Sequence, residues 1–191
     1  YTGENVCPEI VVREKTDKNH ILEEGTDYTV SYTDAEGKER TASATDDDGD
    51  PYRITVTGCG KYSGSLSKTY RVQPASLSLV EVNLPDQIYT GKAITYVPNL
   101  GEVLYNGKSL SRNSDYYVVE GSYRKNTSIG TASFQIVGNR DHNGTGSGNY
   151  TGTRTVRFNI ISDGNEEPKD SQTDESEDWS MRLIMTFSLT D

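Results

Sequence analysis

Cysteine is nearly absent from this 191-residue chain: there are two, Cys7 and Cys59, and the two histidines, His20 and His142, sit far apart in loop-like segments. No Cys-x-x-Cys and no Cys–His spacing remains to build a zinc site. Large apolar residues are thin as well, with one Trp, three Phe and a hydrophobic share of 32%. A large helical or α/β core would need more Leu, Ile and Ala. No stretch near either end approaches the roughly 20 apolar residues that a membrane helix requires, so no membrane insertion is expected. Basic residues have no surplus: 19 Lys and Arg face 29 Asp and Glu, a net charge of −10. Without a basic stripe to neutralise phosphates, nucleic acid is excluded as a partner, and so is attraction to an anionic membrane surface. Neither a nucleophile elbow, a P-loop nor a dinucleotide fingerprint occurs, and neither His is placed for a triad. The chain reads as a non-enzyme with no catalytic residues and no cofactor, calcium aside. It opens on Tyr1, with no charged or apolar leader, and is expected to start inside a longer protein.

What is present points to strands and tight turns. Tyr (13) and Gly (18) are abundant, and Tyr suits thin β cores because its ring buries while its hydroxyl reaches water. The acidity is local. Residues 163–178 carry eight acids and one Lys, whereas 1–162 hold 20 acids and 17 bases. The first stretch reads as a disordered acidic linker, and the rest is nearly balanced.

Self-comparison is the most informative step. Tyr1-Thr2-Gly3 matches Tyr89-Thr90-Gly91, Asp27-Tyr28 matches Asp115-Tyr116, and Lys61-Tyr62-Ser63-Gly64 matches Asn149-Tyr150-Thr151-Gly152, all at a shift of 88. Between these landmarks the strand 54–58 (ITVTG) matches 134–138 (FQIVG) at a shift of 80. The first copy therefore has eight extra residues before that strand and the second has eight extra after it, as expected of related folds whose loops accept length changes. Apolar and polar residues alternate through 28–32, 54–57 and 155–160, which predicts antiparallel strands with one buried face. Asn106-Gly107 predicts a type I′ hairpin. Five to seven short strands per copy fit an immunoglobulin-type sandwich.

The series YTG, then GTDYTVSY, then a strand ending in Gly, then KYSG or NYTG and a last strand resembles the bacterial immunoglobulin-like tandem repeats of Gram-positive cell-surface proteins, and is similar to the glycine-rich "mostly β" repeats. The resemblance covers about 1–160. It implies an all-β fold of two tandem immunoglobulin-like β-sandwich domains, 1–74 and 75–162, followed by the acidic linker 163–178 and an apolar β-prone segment 179–191. It further implies an extracellular protein of the cell wall or cell surface, secreted, bacterial, acting as a spacer or adhesion repeat toward a protein or carbohydrate ligand. The alternative is a carbohydrate-binding accessory module of a larger secreted glycoside hydrolase. That reading asks for two or three coplanar exposed aromatics, with 139–148 the place to look. With only Pro74 and a few neighbours between the domains, a semi-rigid rod is expected.

Three groups of residues are candidates for something more. Asp46, Asp48 and Asp50, in TDDDGDPY, are hard oxygen ligands around a Gly turn and could bind Ca²⁺, although the spacing completes no EF-hand; otherwise they belong to a mobile, solvated insertion loop. Cys7 and Cys59 either close a disulfide across the first domain or remain two separate thiols. Lastly, Met181, Leu183, Met185, Phe187 and Leu189 alternate with mostly polar residues. Residues 180–190 are therefore expected to form a strand able to exchange onto the first domain, which lacks the strand that 75–88 supplies to the second.

Overall fold

Strand follows turn throughout the computed structural model, which describes residues 1–142 and 144–164. Its helical elements are one 3-10 turn, Leu77–Leu79, and one single-turn helix, α1 (Asn139–His142). The fold is all-β. In the first repeat β1 (Tyr28–Thr33), β2 (Tyr52–Gly58) and β3 (Ser65–Tyr70) form an antiparallel sheet in that order. The second repeat has two short strands, β4 (Ala75–Ser76) and β5 (Glu81–Val82), then β6 (Gln87–Ile88), β7 (Val103–Tyr105), β8 (Lys108–Ser109) and β9 (Tyr116–Val118). The long strands β10 (Gly130–Gly138) and β12 (Thr153–Ile161) follow, with β11 (Tyr150–Thr151) between them.

One sheet of the second repeat runs β6-β12-β10-β9 and a second runs β5-β7-β8, with β4 and β11 as a parallel pair. Period two decides which side chains meet between the sheets. Ala132, Phe134 and Ile136 from β10 and Val156, Phe158 and Ile160 from β12 point inward, against Leu77, Val80 and Val103. The β7–β8 connection is the two-residue Asn106-Gly107 loop, with positive φ at both positions (49° and 74°), as a type I′ turn requires.

The sequence landmarks repeat the same hydrogen bonds. Asp27 accepts from the Glu23 N–H and Asp115 from the Ser111 N–H. Cys59 N donates to the Asp27 carbonyl, and Asn139 N donates to that of Asp115. Gly58 and Gly138, which end β2 and β10, donate to Gly64 and Gly152. Each copy needs Gly there because the YSG or YTG backbone crosses directly over it. A Cβ on Gly138 would lie 2.4 Å from the Tyr150 carbonyl oxygen, and one on Gly58 would lie 2.9 Å from Ser63 N. Both obstacles are backbone, which cannot rotate away. Gly138→Ala is expected to cost about 2 kcal/mol by overpacking, and Gly58→Ala less; chemical denaturation of the two variants checks the order.

The cores are unequal. The contiguous buried cluster runs from Ala75 to Ile160, entirely within the second repeat. Buried apolar residues of the first are Leu22, Tyr28, Ala44 and Val72. Ile54 and Val56, which match Phe134 and Ile136 at the shift of 80, are only half-buried.

The two cysteines are not linked; both are free thiols. Cys7 lies between Val6 and Pro8, whose carbonyls accept hydrogen bonds from Tyr70 and Tyr32, near the Ile54 end of β2. Cys59 follows Gly58 at the other end, its thiol donating to the Thr26 carbonyl. Five residues of strand at about 3.3 Å each put these ends about 17 Å apart, well beyond the roughly 7 Å that a disulfide spans.

Candidate functional site

The most elaborate polar constellation is the joint between the repeats, and the two length changes build it. Extra residues of the first repeat fall in the loop before β2, those of the second in 139–148, and the two loops clasp each other. Arg140, on α1, is buried, with its side chain 7% exposed. Its guanidinium donates to the carbonyls of Thr45 (2.8 Å) and Gly148 (2.9 Å) and to the Asp47 carboxylate (2.7 Å). Asp47 N donates to the Gly146 carbonyl and Ala44 N to the Asn149 side chain. Asn149 replaces the Lys61 of the first copy, and its carbonyl also accepts from Ala75 N. The loop is held from behind by Arg71, which donates to the carbonyls of Asp46 and Gly49, and by Thr45, which exchanges hydrogen bonds with Val72.

Tyr rings form the other side of the joint. Tyr1 stacks at 13° on Tyr105 and meets Tyr150 edge-on, while Tyr105 and Tyr150 are themselves edge-on at 5.7 Å. The Tyr105 hydroxyl donates to the Tyr1 carbonyl, Asn106 to that of Thr2, and Lys108 pairs with Glu4. The YTG landmark of the first repeat is thus bound by the hairpin of the second.

The calcium candidates Asp46, Asp48 and Asp50 lie on this loop with their side chains exposed. The guanidinium groups of Arg71 and Arg140 bind its backbone oxygens from within. Among the described residues no group of three or more His, Cys, Asp or Glu is placed to hold a metal. The loop therefore has a solvated acidic face and a backbone that belongs to the joint. Beside it a polar cleft of about 470 Å³ is lined by Asp34, Thr45, Asp46, Asp50, Tyr52 and Asn149. There the Lys38 N–H and the Arg40 guanidinium hold the Asp34 carboxyl below the usual range, against the opposing effect of burial.

Tyr116 and Tyr117 lie on opposite faces of β9. Tyr116 is fully buried, and Tyr117 stacks face to face on His142, at 3.6 Å and 9°. Two rings stacked on each other cover one another's inner faces and form no coplanar platform. His20 pairs instead with Glu14. Residues 165–191, with most of the acidic linker and the whole 180–190 strand expectation, lie outside the described residues.

Burial raises Tyr116 to about 12 and, with the Glu102 carboxylate, Tyr96 to about 12; burial beside Tyr1 pushes Tyr150 up as well. An unfolded Tyr ionises near 10. A raised folded value means the stabilisation is present below about pH 10 and is lost as pH climbs through about 12. Tyrosinate absorbance and circular dichroism, followed together, should show these three rings ionising only as the sheet signal disappears.

Comparison with protein-family models, with curated proteins and with solved structures returns no match to this chain.

Proposed function

We propose that the chain is a pair of immunoglobulin-like sandwich repeats acting as a braced spacer, or interaction repeat, of an extracellular bacterial surface protein, without catalytic activity of its own. The observation that carries this reading is the clasp around Arg140. Compensating insertions that meet at a domain junction serve little in a loosely strung pair, but they stop a short linker from bending. A rod that holds something at a distance needs that resistance. The alternative of a carbohydrate-binding accessory module asks for an open aromatic platform, and the Tyr117–His142 pair is closed on itself.

Two measurements test the proposal together. Small-angle scattering should give one narrow maximum dimension that does not change with ionic strength at moderate salt. Electrophoresis through gels containing cell-wall or plant polysaccharides should show no retardation. Retardation abolished by Tyr117→Ala would replace the spacer reading with the carbohydrate-binding one, and a broad, salt-dependent dimension would remove the argument for bracing.

A further inference from the structure

The backbone enters the second repeat and leaves it along two neighbouring segments that run the same way. Ala75 and Ser76 of β4 pair in parallel with Tyr150 and Thr151 of β11, and Gln87 and Ile88 of β6 pair in parallel with Ile160 and Ile161 of β12. Between these two ladders the segments are pinned by side chains. The Arg154 guanidinium donates to the carbonyls of Leu77, Ser78 and Val80, on and just after the 3-10 turn. Asn159 donates to the Asp86 carboxylate at 3.0 Å. Further main-chain bonds close both ends: Ala75 N donates to the Asn149 carbonyl and Tyr89 N to that of Ile161. Residues 75–89 are thus fastened to 149–161 at their start, middle and end.

Parallel pairing decides how such fastenings meet a pull. The backbone comes in at the start of one segment and goes out at the end of the other. Tension between those two points drags the segments past each other along their common axis, so every fastening is loaded at once. In an antiparallel pair two ends lie side by side, and pulling them apart opens the ladder one bond at a time from that edge. The same repeat holds that contrast in β10 and β12, where Gly130 lies opposite Ile160. We infer that the second repeat is a tension-bearing module, in which 75–89 and 149–161 form a shear clamp with Arg154 as its central pin. A spacer has to resist bending; the clamp adds resistance to being drawn out along the chain. It lies within the second repeat and does not depend on the bracing at the joint.

Single-molecule pulling on the full chain tests this, with two pairs of attachment points in a Cys7→Ser, Cys59→Ser background. Gln73→Cys with Ser162→Cys loads the clamp lengthwise, and Ile129→Cys with Ser162→Cys peels β10 from β12. All three attachment residues are exposed, so the two pairs pull on the same fold in different directions. Forced unfolding is governed by the barrier to unfolding. Fastenings that break together should hold about threefold more force, at matched loading rate, than bonds that break singly. Arg154→Ala removes one of three fastenings and should lower the lengthwise force by about a third. It should leave the peeling force unchanged, because peeling starts at the other end of β12. Equal forces in the two directions would overturn the inference, as would a loss in Arg154→Ala that is the same in both. If Arg154→Ala fails to fold, the comparison of directions alone decides.

Discussion

Arg140→Ala is expected to lower the stability of the two-repeat unit by about 4 kcal/mol and to free the repeats to move relative to each other. The side chain is nearly fully buried and donates to two carbonyls and one carboxylate. The ion pair itself contributes little, because Asp47 is 71% exposed and water screens it. The cost comes from the carbonyls of Thr45 and Gly148, each losing a charged donor whose bond is worth about 1.5–3 kcal/mol. Asp47→Ala should therefore cost less than about 1 kcal/mol. Arg140→Lys should fall between, because an ammonium cannot reach both carbonyls with a fixed fork. Thermal unfolding gives the stability order. Spin-label distances between the two sheets separate loss of bracing from general destabilisation: the distribution should broaden in Arg140→Ala and stay narrow in Asp47→Ala. If all three variants matched the parent, the joint would be a passive contact and the bracing argument would fail.

The strands were legible in the sequence because their signal is local. Alternation marked β1, β2 and β12 within a residue or two at most ends, Asn106-Gly107 marked its hairpin, and the Gly that ends β2 and β10 was visible as a shared feature before its crossing backbone was. The joint was not legible, for a physical reason. Alignment exposed both insertions as length changes, but whether two loops touch depends on how the domains are set, and no periodicity encodes that. Arg140 sits in Asn-Arg-Asp-His with nothing nearby to distinguish it from a surface arginine. The Asp loop shows the same limit. Its four acids are exposed, as four acids in five residues suggest, but no local pattern shows that the backbone beneath them is held by Arg71 and Arg140, 21 and 90 residues downstream of Asp50. For Cys7 and Cys59, sequence could not say that the two thiols stand near opposite ends of β2.

Phe134→Ala is expected to cost about 4 kcal/mol, and Ile54→Ala, at the matching position, about 1 kcal/mol. Phe134 is fully enclosed, with Tyr123 and Phe158 against its ring. Its removal leaves a cavity in a closely packed layer, where such truncations cost about 3–5 kcal/mol. Ile54 is half-buried beside a groove lined by Ile10, Val12 and Leu66, so its truncation removes fewer contacts and the space opens to water instead of forming a void. Urea denaturation of both variants measures the difference. Equal costs would mean that the two matching positions are packed alike, against the inequality of the cores.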